Sequence, residues 1–106
     1  MLPSTAPVYV RLTWTDPGTG YHLERIAPLP VTLGRAAGNT IPLNSQGVSR
    51  HHAELRIEDH QVVLVDLGST NGTFVNGQPV RRVALTDGTN VTLGRTTLVF
   101  HQDDRY

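Results

Sequence analysis

The chain has 106 residues, a formal net charge of zero, no cysteine and no lysine, so that all nine basic side chains are arginine. That length predicts one domain with one core, large enough to stand without disulfides or a structural metal. The composition excludes Cys-zinc sites, thiol nucleophiles, a Walker lysine and Schiff-base chemistry, and its neutrality argues against a broad electrostatic footprint for nucleic acid.

In chain order, residues 1–7 carry two prolines with Ser4 and Thr5 and read as a loose tail. Residues 8–14 alternate Val8, Val10, Leu12 and Trp14 against Tyr9, Arg11 and Thr13, a half-buried strand. A turn cluster at 16–20 follows. Residues 21–27 alternate again, with Tyr21, Leu23 and Arg25 on one side, until Pro28 and Pro30 break the run. Val31-Thr32-Leu33 is a short strand ending at Gly34. Residues 34–50 are rich in Gly, Asn and Ser and predict loop, with one short strand at 41–43. Ala53, Leu55 and Ile57 then alternate with Glu54, Arg56 and Glu58; Asp59-His60 is a turn, and residues 62–65 form a more continuously apolar strand.

The run 66–77, Asp-Leu-Gly-Ser-Thr-Asn-Gly-Thr-Phe-Val-Asn-Gly, contains two Asn-Gly pairs. Asn-Gly favours turns with positive φ at both central residues. Phe74-Val75 and Pro79-Val80 flank Asn76-Gly77 as a hairpin, and Pro79 confines its half to a sheet edge. Residues 83–85, 91–93 and 97–100 complete the set, the last two joined at Gly94-Arg95, where a leading Gly suits a type II′ turn. Residues 102–106 form a polar tail. No segment keeps a 3.6-residue period, and about ten short strands with frequent turn signals predict an all-β sandwich or barrel. No apolar run approaches the roughly 18 residues of a membrane span, and the N-terminus lacks the basic head and apolar core of a signal peptide. An intracellular, cytoplasmic protein is expected, with no membrane or nucleic-acid partner.

Three loops are rich in groups that suit an anion: one at Gly34-Arg35, one at 47–52 (Gly-Val-Ser-Arg-His-His) and one at 68–73. Two Arg forks, Ser and Thr hydroxyls and backbone N–H groups beside Gly make a phosphate cradle if the loops converge at one end of a sandwich. Composition and turn signals do not establish that convergence. The pentapeptide Val-Thr-Leu-Gly-Arg occurs twice, at 31–35 and 91–95, which leaves open which Arg is functional.

Gly34-Arg35, then Ser49-x-x-His52, then Thr70-Asn71-Gly72 resembles the signature of forkhead-associated (FHA) domains, and the resemblance covers residues 8–101. The resemblance implies an eleven-stranded, antiparallel-rich β-sandwich that binds phosphothreonine in short peptides through loops at one end. Carried over by position, Arg35 pairs with the phosphate and Ser49 donates its hydroxyl to it. Thr70 contacts phosphate oxygens or lines the pocket for the threonine methyl, and Asn71 hydrogen-bonds the peptide backbone. Arg50 adds a phosphate or peptide contact. His52 braces the loops from beneath without touching ligand, while Gly34 and Gly72 permit backbone turns. Arg95, in the last hairpin, becomes a turn residue. Partners implied are a Thr-phosphorylated protein or peptide and an upstream Ser/Thr kinase. Gly47, His51 and the segment after Asn71 are candidate readers of the residues beyond the phosphothreonine. A phosphorylated Thr5 folding back onto the site is a further expectation.

Plainer readings stand beside these. Either Asn-Gly pair can be a hairpin turn, and Arg35 can be an ordinary solvated charge. His51-His52 invites a metal, but strand neighbours point to opposite faces and no third ligand clusters with them, so neither metal nor cofactor is expected. Asp66 has no paired acid or nucleophile and is expected to anchor its loop; Trp14, Phe74 and Phe100 are expected in the core. No catalytic residue is assigned. The alternative function is a phosphate-independent protein–protein scaffold of the same fold.

Overall fold

The computed structural model describes residues 6–102. Residues 1–5, with Thr5, and residues 103–106 lie outside them, and with them most of the two expected tails. The chain runs through eleven strands: β1 (Tyr9–Thr15), β2 (His22–Pro28), β3 (Val31–Gly34), β4 (Ile41–Pro42), β5 (Ala53–Glu58), β6 (Gln61–Asp66), β7 (Thr73–Val75), β8 (Gln78–Val80), β9 (Arg82–Ala84), β10 (Thr89–Leu93) and β11 (Thr96–His101). They form a six-stranded sheet in the order β2-β1-β11-β10-β7-β8 and a five-stranded sheet in the order β4-β3-β5-β6-β9. Among the described residues only β3 and β4 pair in parallel; every other ladder is antiparallel. The fold is the expected all-β sandwich.

Alternation explains how the layers meet. Val10 and Leu12 of β1, Val91 and Leu93 of β10, and Leu98 and Phe100 of β11 point inward from one sheet. Val31, Leu33, Leu55, Val62 and Leu64 meet them from the other, all almost wholly buried. Phe100 lies in this core and Trp14 packs half-buried against its rim, but Phe74, expected in the core, is instead half-buried outside it.

Two further expectations need correction. Tyr21, Leu23 and Arg25 do not form a buried face: Tyr21 precedes β2, and Ala27 is its one buried residue. The strand is an edge of the larger sheet, and the edge across from it, β4, is two residues long. Most of β2 thus has no opposing layer, and Arg25 reaches over to donate to the Thr40 carbonyl (2.9 Å). Likewise Ile57 does not join Ala53 and Leu55 inside; it is 42% exposed. Pro79, as expected, sits on an edge strand, β8.

Candidate functional site

Ser49, in the loop between β4 and β5, is where the predicted loops converge. Its carbonyl accepts the Arg35 N–H (2.9 Å), which ties it to the end of β3. Its hydroxyl oxygen accepts the Thr70 N–H from the β6–β7 loop (3.0 Å), leaving the hydroxyl proton free to donate outward. Arg35, Ser49 and Thr70 are therefore brought together by one residue's backbone and side chain. Asn71 reaches the same loop one step further on, donating through Nδ2 to the Gly47 carbonyl (3.1 Å). Its carbonyl oxygen has no protein partner among the described residues.

His52 sits wholly buried beneath this crossing. Its Nδ1 accepts the Ser49 N–H (3.0 Å), so the ring proton is on Nε2, which donates to the Gly72 carbonyl (3.0 Å). Its own N–H donates to Leu33 and its carbonyl accepts from Leu67, both at 2.9 Å. One side chain and its peptide groups thus bind the ends of β3 and β6 to the β4–β5 and β6–β7 loops. His51, its neighbour, is exposed, and neither histidine lies in a strand.

Gly34 and Gly72 serve different needs. Gly72 has φ of 89°, a conformation that suits glycine. Gly34 has no positive φ; a Cβ there would lie 2.2 Å from the Arg50 carbonyl oxygen. Gly34 is thus required for close approach of two chain segments rather than for a turn. The first Asn-Gly pair is likewise no two-residue hairpin turn, since Asn71 does not share the positive φ of Gly72. Asn76-Gly77 is one, with φ of 48° and 83°.

Asp66 anchors the β6–β7 loop. Its Oδ1 accepts the hydroxyls of Ser69 and Thr73, both at 2.6 Å, and its Oδ2 accepts the N–H groups of Gly68 (3.0 Å) and Ser69 (3.1 Å). Burial works to raise its pKa, but these four hydrogen bonds outweigh it and hold the carboxyl below its ordinary value. Ser69 Oγ in turn accepts the Gly72 N–H (3.0 Å), which fixes the turn presenting Thr70 and Asn71.

Ser69, expected beside Thr70 and Asn71 on an exposed loop, thus supports that loop from within. A further supporting residue, with no role expected from the sequence, is Asn39, nearly buried, whose Nδ2 donates to the carbonyls of Ala36 and Arg50, each at 2.8 Å. It locks the loop carrying Arg35 onto the loop carrying Ser49. The only sequence signal for it was its place in a Gly-Asn-Thr turn cluster.

The side chains of Arg35, Arg50, Thr70 and Asn71 are exposed at this end, and neither Arg has a carboxylate partner among the described residues. Two unpaired guanidinium groups, a free hydroxyl proton on Ser49 and the Thr70 hydroxyl suit a tetrahedral dianion.

The comparisons agree with that chemistry. The family model for the FHA domain matches residues 31–94. The glycogen accumulation regulator GarA of Mycolicibacterium smegmatis is 38% identical over 100 residues, which is 93% of this chain and 61% of that protein. The oxoglutarate dehydrogenase inhibitor of Corynebacterium diphtheriae is 36% identical over 103 residues, covering 97% of this chain and 70% of that one. The chain thus spans less than two thirds of the GarA relative. Among solved structures, the FhaA FHA domain, in complex with the intracellular domain of Rv3910, superposes with a TM-score of 0.73 at 35% identity, over 87% of this chain and 99% of that one. On the match of the family model and these relatives, the chain belongs to the FHA-domain family.

Proposed function

We propose that this chain is a non-catalytic reader of phosphothreonine in peptides or proteins, acting downstream of a Ser/Thr kinase. The observation that carries the reading is the convergence on Ser49 of the Arg35 corner and the Thr70 loop. In this reading Arg35 pairs with the phosphate, Ser49 and Thr70 hydrogen-bond it, Arg50 adds a second charge and Asn71 holds the peptide backbone. Gly34, His52 and Gly72 keep the loops in place. Regulatory relatives such as GarA support a signalling role, and a cytoplasmic setting follows from one. No helix among the described residues is long and apolar enough to cross a membrane. Residues 8–101 are taken as the working module, since β1 to β11 lie within them.

Catalysis is disfavoured by how the site is wired. His52 faces the Ser49 backbone N–H, not its hydroxyl, and no hydrogen bond among the described residues pairs the Ser49 hydroxyl with a general base of the kind a nucleophile needs.

A phosphothreonine carries about −1.5 to −2 charges near neutral pH. Each charge-assisted hydrogen bond contributes roughly 1.5–3 kcal/mol. Three or four of them, less the cost of ordering a peptide, give on the order of micromolar affinity, about −8 kcal/mol. Threonine over serine rests on one methyl, about 0.8 kcal/mol by burial alone, so stronger preference must come from the way the methyl fixes the phosphate.

The test is titration of a phosphothreonine peptide library against the wild type and Arg35→Ala. The variant is expected to lose most of its affinity for the best peptide. Equal binding by both proteins would remove Arg35 from the site, and capture of a partner that survives phosphatase treatment would favour a phosphate-independent scaffold.

A further inference from the structure

The fold places both copies of Val-Thr-Leu-Gly-Arg against a single loop. Residues 31–35 end β3 in the five-stranded sheet, and residues 91–95 end β10 in the six-stranded sheet. The Arg35 N–H donates to the Ser49 carbonyl (2.9 Å), and the Arg95 N–H donates to the Gln46 carbonyl (3.2 Å). A Cβ on Gly34 would lie 2.2 Å from the Arg50 oxygen, and one on Gly94 2.5 Å from the Gln46 oxygen. Each sheet therefore presses one Gly-Arg corner onto the β4–β5 loop. Each corner then sends an arginine into solvent: both are exposed, and neither has a carboxylate partner among the described residues.

The groups between the two corners have a fixed order. Thr70 bonds Ser49 Oγ beside Arg35, while Asn71 bonds the Gly47 carbonyl. Gly47 itself lies against the β10–β11 turn, since a Cβ on it would meet the Gly94 Cα at 3.0 Å and Asn71 Nδ2 at 3.6 Å. Along the loop the sequence is thus Arg35, Ser49 with Thr70, Gly47 with Asn71, then Arg95. Ser49 and Gln46 are three residues apart, at most about 10 Å of chain. An extended peptide with its phosphate at Ser49 covers that distance, and the reach of an arginine side chain, in roughly two to four residues.

We propose that Arg95 is a specificity-determining residue: it reads an Asp or Glu two to four residues from the phosphothreonine, on the side of the peptide that passes over Gly47. The selected ligand carries two anions, a phosphate at the first Gly-Arg corner and a carboxylate at the second. This rests on the phosphothreonine reading of the site. A turn alone does not call for arginine, because the second central position of a type II′ turn tolerates many residues.

The test uses the full chain and a neutral phosphothreonine peptide bearing a single Asp, moved through positions −4 to +4, against the wild type, Arg95→Ala and Arg95→Glu. At one position two to four residues from the phosphothreonine, Asp is expected to tighten wild-type binding about two- to fivefold, the worth of a half-exposed bidentate pair. Arg95→Ala should lose that gain while binding the neutral phosphopeptide within about 1.5-fold of wild type, and Arg95→Glu should prefer Lys at the same position. Unchanged thermal melts confirm that the variants fold. No gain at any of these positions, or an equal gain in Arg95→Ala, overturns the proposal. If the wild type binds the phosphorylated and unphosphorylated peptides alike, or Arg35→Ala binds as wild type does, the phosphothreonine reading itself fails and the role of Arg95 falls with it.

Discussion

Ser49 and Asp66 hold the candidate site in different ways, Ser49 at the crossing of its loops and Asp66 within one of them. Ser49→Ala keeps the backbone bonds to Arg35 and His52 but removes the Oγ that accepts from Thr70. Phosphopeptide affinity is expected to fall by about tenfold or more, the worth of one charge-assisted hydrogen bond. Global stability should drop by only about 1 kcal/mol, because the Thr70 N–H can turn to water; calorimetric titration and thermal melts separate the two. Asp66→Ala should do the reverse first, costing roughly 2–3 kcal/mol through the loss of four hydrogen bonds to a charged group. The sign of its pH dependence follows from its lowered pKa. The contribution of the charged form is fully present above the unfolded value of about 3.9 and is lost as pH falls through the lower folded value. The stability difference between wild type and Asp66→Ala should therefore be flat from pH 5 to 7 and shrink below about pH 4. A gap that widened in acid would mean that the carboxyl is held protonated. The loop positions of Arg35, Ser49, Thr70 and Asn71 were legible because short Gly-, Ser- and Asn-rich motifs carry them. Asn39 was not, since its Arg50 carbonyl partner lies in another loop and only the folded path brings it near; Ser69 bonds Asp66 and Gly72 inside its own loop, a support that no motif announces.

Turn chemistry decided how well the elements could be read. Asn76-Gly77 gives a hairpin because both residues take positive φ, with Val75 and Gln78 paired across it. The β5–β6 hairpin has the same geometry on a poorer pair, with Asp59 at φ 50° and His60 at 64° between the paired Glu58 and Gln61. Both types tolerate this region better than most, yet less well than Asn-Gly. The double substitution Asp59→Asn/His60→Gly is expected to stabilise the fold by about 1 kcal/mol, a rise in Tm of roughly 4–8 °C. Phosphopeptide affinity should not change, because this hairpin takes no part in the loops around Ser49; an unchanged or lowered Tm would mean that the native pair makes compensating contacts. By contrast β2 was misread, because alternation reports a possible buried face but not whether a layer lies opposite. Gly94-Arg95 was read correctly as a turn, with positive φ at Gly94 only. Which loop that turn abuts depends on how the two sheets stack, and local sequence does not encode that.

At the scale of the whole molecule, the sandwich acts as a vice on the β4–β5 loop, with one glycine corner from each sheet. Gly34 gives the cleaner test, since its φ is not positive and only space forbids a side chain. Gly34→Ala must displace the Arg50 carbonyl, which accepts from the Ala36 N–H (3.1 Å) and from Asn39 Nδ2 (2.8 Å). Overpacking against rigid backbone costs about 1–3 kcal/mol, and the loss of those hydrogen bonds adds to it. A fall in Tm of roughly 10 °C or more is expected, with faster hydrogen exchange at the Ala36 amide and weaker phosphopeptide binding. Gly38, in the same β3–β4 loop, supplies the control: a Cβ there meets nothing within 4 Å, and its φ is not positive. Gly38→Ala should be neutral or stabilising by up to about 1 kcal/mol, through the lost freedom of the unfolded chain. If both substitutions cost the same, the loop is sensitive to any change and the vice is not what holds it. If only Gly34→Ala fails, Arg35 is positioned by the contact between β3 and the β4–β5 loop rather than by the segment that follows it.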